Sequence, residues 1–231
     1  MDHHNIVLLH GALGNKKQLE PLKNILSDHY NVYTLDFEGH SGKSTDKEFL
    51  IELFAENVLD FFEENRIEKA HIFGYSMGGY VGLRFAKENP ILVDKIVTLG
   101  TKFNWTIEAA QRETKMLNPD VILEKVPGFA RMLEETHSAD NWKSVLVKTA
   151  NMMTGLANGK KMTDQDIGEI SHKTLIGIGD LDKMVTIKES ENTVGVLPNG
   201  ILKVIKGFQH PIEKNDQHKL AEIIVSFLKT T

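Results

Sequence analysis

Short apolar runs rich in β-branched residues recur along the chain: NIVLLH, NVYTLD, AHIFG, KIVTLG, KTLIGIG and ILKVIKG. Longer segments of helical period separate most of them. The stretch FLIELFAENVLDFFEENR, from Phe49, puts apolar side chains at 49, 50, 53, 54, 58, 61 and 62, the spacing of a helix lying on a sheet. HKLAEIIVSFLKT near the C-terminus does the same. Strands that alternate with helices predict βαβ units, an α/β class and a parallel sheet. One stretch breaks the alternation. Between KIVTLG and KTLIGIG lie about seventy residues of helical periodicity with both tryptophans, several methionines and the turn signal ANGKK. A crossover does not need that length. The expectation is a core domain of residues 1–101 and 173–231, with residues 102–172 inserted as a helical cap.

Composition narrows the class of partner. A chain of 231 residues with 41% hydrophobic content buries a sizeable core in one domain. The net charge of −5, with lysines and acids interspersed and no basic block, leaves no electrostatic footprint for nucleic acid. With no cysteine, disulfide frameworks and thiolate metal sites are excluded, which fits a reducing compartment. The apolar run in MDHHNIVLLHG is too short for a signal peptide, and no segment reaches 18 apolar residues, so no membrane association and a cytoplasmic location are expected. Asn104-Trp105-Thr106 matches the glycosylation pattern and is read as accidental without a secretion signal.

Candidate chemistry centres on HIFGYSMGGYVG, residues 71–82, where Ser76 sits in a G-x-S-x-G pattern after a strand and before a helix. A strand that turns into a helix within a residue or two forces the serine into strained backbone angles. Gly74 and Gly78 supply the room that a Cβ would fill. Chance places such flanking glycines around one of nine serines at roughly 5%, so the bland alternative is a tight turn with an incidental serine.

A serine hydroxyl becomes a nucleophile only beside a base that an acid orients, and both belong at the carboxyl ends of later strands. GDLDKMV follows KTLIGI and KGFQHPIEK follows ILKVI, which puts Asp182 and His210 where they are required. The order Ser76, Asp182, His210 is that of the α/β-hydrolases. The first strand ends in LLHGALGN, where a turn can aim a backbone N–H at a developing oxyanion. The expected oxyanion donors are the N–H groups of Ala12 and Met77.

On these segments the chain resembles the α/β-hydrolase-fold serine hydrolases, capped and carboxylesterase-like, over essentially its full length. LLHGALG resembles the family's His-Gly segment, LDFEGHSGKS its Asp-x-x-Gly-His-Gly-x-Ser loop, GYSMGG its elbow, GDLDKMV its acid turn and GFQHPIEK its Gly-x-x-His stretch. Two departures stand out: Ser41 is an extra residue before Gly42, and the chain starts almost at the His-Gly strand, where the family has a leading antiparallel hairpin. The resemblance therefore implies a three-layer sandwich with a shortened sheet of about six strands, mostly or wholly parallel.

Other residues have competing readings. Gly42-Lys43-Ser44 ends like a P-loop, but Phe37 stands where the first glycine is needed. Asp180 competes with Asp182 for the acid role and suits a turn former. Asp36 reads as structural, His10 as a brace for the oxyanion loop and His40 as a loop anchor. His3 and His4 have no ligand spacing and no HExxH pattern occurs, so neither metal nor cofactor is expected. Phe103, Trp105, Met116, Met132, Trp142, Met152 and Met153 read as cap core, a minority of them facing Ser76. Leu13 and Trp105 are the expected substrate contacts.

The expected activity is a serine hydrolase that cleaves a small to medium, largely apolar carboxylic ester through an acyl-enzyme. Two alternatives stay open. The same fold cleaves carbon–carbon bonds in meta-cleavage-product hydrolases, whose anionic substrates call for arginines, and Arg84, Arg112 and Arg131 are the ones on offer. Other members are small-molecule receptors with a retained triad.

Overall fold

The computed structural model describes residues 4–230, so His3 lies outside the described residues. Six strands carry the alternation: β1 (Asn5–Leu9), β2 (Asn31–Thr34), β3 (Ala70–Tyr75), β4 (Val93–Leu99), β5 (Lys173–Gly179) and β6 (Gly200–Ile205). Among the described residues they form one sheet in the order β2-β1-β3-β4-β5-β6, and every pairing is parallel. β3 is buried at all six positions because helices cover both faces, as parallel sheets require. At the edge, β6 alternates exposed and covered residues over most of its length.

Helices α1 (Glu20–Leu26), α2 (Ile51–Glu64) and α3 (Met77–Glu88) link the first four strands. The predicted helix from Phe49 begins two residues later, since Leu50 is extended (φ −137°, ψ 149°) and Phe49 is buried against His40. Its buried face, with Phe54, Val58 and Phe62, packs into one apolar cluster with Val81 and Phe85 of α3.

The stretch between β4 and β5 is helical as predicted: α4 (Ile107–Thr114), α5 (Pro119–Lys125), α6 (Pro127–His137), α7 (Trp142–Gly155) and α8 (Asp164–Gly168). Side chains fasten it to the rest. Lys87 of α3 meets Asp166 at 2.6 Å, and this lysine holds the carboxyl below its usual range. The Met162 N–H donates to the Tyr80 hydroxyl at 2.7 Å, and Asn141 Nδ2 donates to the Gly39 carbonyl at 2.8 Å. Not all of its apolar residues are interior: Trp142 is buried in a small cluster with Leu133 and Leu146, whereas Met116 and Met132 are exposed. Helices α9 (Ile187–Val196) and α10 (Gln217–Leu228) complete the layers, and Asp216 caps α10 by accepting from the Lys219 N–H at 3.0 Å.

The chain runs outward from β1 to β2 and crosses back to β3, so the sheet has its switch point between β1 and β3. Clefts in open α/β sheets form at the carboxyl ends of strands flanking such a point. Among the described residues, no helix is long and apolar enough to cross a membrane.

Candidate active site

β3 ends at Tyr75 and α3 begins at Met77, which leaves Ser76 alone to make the turn at φ 51°, ψ −116°. Such angles cost a non-glycine residue about 1–3 kcal/mol and persist only where the surroundings enforce them. Here they are enforced by close packing. A Cβ on Gly74 would lie 2.4 Å from the Gly78 carbonyl, and one on Gly78 would lie 2.3 Å from the Leu9 carbonyl oxygen. The Ser76 N–H donates to the Leu99 carbonyl at 2.8 Å, and the Ser76 carbonyl accepts from Thr101 Oγ1 at 3.0 Å. The end of β4 thus grips both sides of the turn.

The loops after β5 and β6 bring the other two predicted residues alongside. His210 Nε2 lies 3.2 Å from Ser76 Oγ, and His210 Nδ1 lies 2.8 Å from Asp182 Oδ2. The carboxylate can only accept, so Nδ1 carries the proton and the Nε2 lone pair faces the serine hydroxyl. Asp182 Oδ1 accepts from the N–H groups of Met184 and Val185 at 2.8 and 2.9 Å, and its side chain is 1% exposed. Asp180 is engaged elsewhere: its Oδ1 accepts from the Gly207 N–H at 2.6 Å. The Tyr75 hydroxyl donates to the His210 carbonyl at 3.0 Å, and burial raises the phenol well above its usual range.

Gly100 makes this assembly fit. It adopts φ +61°, and a Cβ there would stand 3.2 Å from Asp182 Oδ2 and 3.3 Å from His210 Nδ1.

Ala12 and Met77 flank Ser76 in the same cleft, and neither N–H donates to a backbone carbonyl in the turns and loops of the described residues. His10 lies beneath this loop, buried, with Nδ1 donating to the Gly11 carbonyl at 2.8 Å and Nε2 accepting from the Phe37 N–H at 3.3 Å. Both ring nitrogens are used by the neutral form, and burial lowers the imidazole to about 4. His40 stacks on Phe49 at 5.0 Å, and burial holds it well below the usual histidine range. Asp36 accepts from the Lys16 N–H at 2.8 Å, and that contact helps hold its carboxyl below the usual range against the opposing effect of burial.

Two residues that no motif flagged belong here. His137, at the end of α6, donates from Nε2 to the Leu13 carbonyl at 2.9 Å and accepts at Nδ1 from the Ser41 N–H at 3.2 Å. Leu13 and Ser41 are both left-handed, at φ 60° and 56°. Lys102, just past β4, reaches the cleft wall.

The cleft over Ser76 is a narrow slot with a cavity volume of about 40 Å³. Apolar side chains dominate its walls, among them Ile51, Trp105, Met152, Met153 and Leu156. Trp105 therefore stands where a substrate contact was expected. Leu13, at φ 60°, does not line the cleft; its side chain packs instead on the clusters around Trp142 and the main core. Among the described residues, no group of three or more His, Asp or Glu is arranged to hold a metal ion.

A protein-family profile described as the α/β hydrolase fold matches residues 5–157. The chain belongs to this family. Over its whole length the α/β-hydrolase-fold chain has distant relatives. It is 22% identical to a protein of Haemophilus influenzae named as an esterase/lipase, across 96% of this chain and 82% of that one. It is 35% identical to an alcohol acetyltransferase of Cyberlindnera jadinii, but across 47% of this chain and 31% of that one. The chain thus spans about a third of that relative. Among solved structures, the 2-hydroxy-6-oxo-6-phenylhexa-2,4-dienoate hydrolase of Rhodococcus sp. strain RHA1 superposes with a TM-score of 0.81 at 20% identity, covering 99% of this chain and 91% of that one. At that identity the likeness is one of fold.

Proposed function

We propose that the protein is a serine hydrolase that cleaves a small to medium, largely apolar carboxylic ester, with residues 102–172 as a cap domain over the site. The observation that carries this reading is the continuous relay from Asp182 Oδ2 through His210 to Ser76 Oγ, at 2.8 and 3.2 Å, opening into an apolar slot.

His210 Nε2 takes the serine proton as Oγ attacks the acyl carbonyl, while Asp182 holds the tautomer and stabilises the imidazolium. The N–H groups of Ala12 and Met77 receive the oxyanion; as the first helical residue, Met77 has an N–H without a partner inside its own helix. His210 then passes the proton to the departing alkoxide. Water, deprotonated by the same imidazole, attacks the acyl-enzyme and releases the carboxylic acid and free serine. Proton transfer of this kind is worth about 10²–10⁴ in rate. No cofactor enters any step, and the proposed location is the cytoplasm.

Carbon–carbon bond cleavage with an anionic substrate has less support. Arg84 pairs with Glu52 and Glu88, Arg112 pairs with Glu113, and neither these nor Arg131 lines the cleft. The test is labelling with a fluorophosphonate, read by mass spectrometry, beside p-nitrophenyl esters of graded chain length. The expected result is rapid modification at Ser76 that Ser76→Ala and His210→Ala abolish, with ester turnover in the wild type. A folded protein that neither labels nor turns over esters would overturn the reading and favour a small-molecule receptor.

A further inference from the structure

Lys102 is the one lysine among the residues that line the cleft, which include no arginine, aspartate or glutamate, and it sits among methionine, leucine and tryptophan side chains. It is 9% exposed. An ammonium in such a wall costs free energy that a methionine of similar length would not. Its present partners do not use it fully. Nζ donates once, to the Met184 carbonyl at 3.0 Å, and lies 5.9 Å from the ring centre of Trp105. Its ion-pair partner, Glu189 Oε2, is 3.9 Å away, beyond hydrogen-bond reach.

Glu189 is itself occupied. Oε1 accepts from the N–H groups of Phe103 and Asn104 at 3.1 and 3.4 Å, and Oε2 accepts from Thr186 N and Oγ1 at 3.1 and 3.2 Å. The carboxylate needs no lysine to satisfy it, since it closes the capping box of α9. Among the described residues, then, two of the three Lys102 N–H donors have no protein acceptor.

We propose that Lys102 is a specificity residue that donates to a second, neutral oxygen of the acyl group, a ketone or ether oxygen beyond the scissile ester. The charge balance selects a neutral acceptor. Lys102 and Glu189 together are net neutral, so a substrate carboxylate would bring a second negative charge to a site whose one cation is already opposed. A ketone oxygen takes a charge-assisted hydrogen bond at a far smaller desolvation cost. This inference rests on the ester-hydrolase reading of the site and narrows its substrate class.

The experiment compares p-nitrophenyl esters matched in length: 4-oxopentanoate against pentanoate, 5-oxohexanoate against hexanoate, and the hemisuccinate as the anionic counterpart. In the wild type at least one keto ester is expected to exceed its alkyl partner about tenfold in kcat/KM, the worth of a hydrogen bond to a charged group. Lys102→Met should bring that ratio to about one, and Lys102→Gln, which keeps a donor, should hold it in between. A lysine that only braces the Met184 loop would lower both esters alike and leave the ratio unchanged. An unchanged ratio in either folded variant, a wild-type ratio near one for both pairs, or a preference for the hemisuccinate would overturn the proposal. Binding of each pair to Ser76→Ala, read by thermal shift, repeats the comparison without turnover. If wild type turns over no ester yet binding still favours the keto partner through Lys102, the hydrolase reading falls and the Lys102 assignment stands.

Discussion

His137 Nε2 donates to the Leu13 carbonyl at 2.9 Å, which ties a helix of the inserted segment to the residue that follows Ala12. Its other ring nitrogen accepts from the Ser41 N–H, so one buried imidazole holds two left-handed residues from separate loops. The extra Ser41 in the loop after β2 thereby gains a partner. Helix α6 and the loops after β1 and β2 cannot shift independently while both bonds persist.

Replacement of this ring should therefore show in the chemistry as well as in stability. His137→Phe keeps a ring in place but leaves a half-buried carbonyl and a half-buried N–H without their partner, at about 1 kcal/mol each. If the Ala12 N–H serves the oxyanion, loosening its loop should lower kcat about tenfold with a smaller change in KM. His137→Gln can reach one of the two partners and should recover part of the loss. Steady-state kinetics on p-nitrophenyl acetate beside thermal melts would check this; equal losses in both variants, or stability loss at full kcat, would refute the coupling.

Gly100 offers a test of the relay that touches neither histidine nor carboxylate. An alanine there is strained at φ +61°, and its methyl group presses on the Asp182–His210 contact at 3.2–3.3 Å. Gly100→Ala is expected to lose about 1–3 kcal/mol of stability and about 10–100-fold in kcat. Denaturant melts and kinetics would separate the two effects, and wild-type kcat in the variant would show that the relay has slack.

Much of this arrangement was legible in the chain. Each β-branched run became a strand within a residue or two, because apolar continuity is what a sheet covered on both faces demands. Ser76, Asp182 and His210, which the fold brings within hydrogen-bond reach of one another, each follow a recognisable strand within three residues of a glycine. The stretch Gly100-Thr101-Lys102 could not. Its three residues act through unrelated tertiary contacts, with the relay, the elbow carbonyl and the cleft wall, and no periodicity records such contacts. A lone histidine at the end of α6 carried equally little signal. Leu13 differs from the expectation because it packs against the clusters around Trp142 and the main core, and nothing in the LLHGALGN pattern records that tertiary contact.

The two acidic residues after β5 should separate cleanly. Asp182 meets His210, whereas Asp180 bonds the Gly207 amide that shapes the loop after β6. Asp182→Asn preserves shape but inverts the tautomer preference, so kcat should fall about 10²–10⁴-fold. Asp180→Asn should cost about 1 kcal/mol of stability and leave kcat within a few fold. If Asp180→Asn proved the more damaging to kcat, the acid assignment would be reversed.

Stability should also depend on pH through the buried histidines. In the fold, burial lowers His10 and His71 to about 4 and holds His40 and His137 below the usual 6.5, although Asp94 lies 3.4 Å from His71 and opposes the shift. The unfolded chain therefore binds more protons than the native one between about pH 6.5 and 4, and stability must fall as pH drops through that window. Above pH 6.5 these rings are neutral in both states and their contribution is level. The geometry has the same sign: a proton on His10 Nε2 would face the Phe37 N–H, and one on His137 Nδ1 would face the Ser41 N–H. Each proton taken up on unfolding contributes a slope of about 1.4 kcal/mol per pH unit. The carboxyls held low, Asp36 and Glu38, add their losses only nearer the bottom of the range. Urea unfolding at half-unit steps from pH 7.5 to 4.5 should thus show a plateau, then a decline equivalent to the uptake of two or more protons. A flat profile down to pH 5 would mean that the histidine cluster opens and solvates without unfolding the chain.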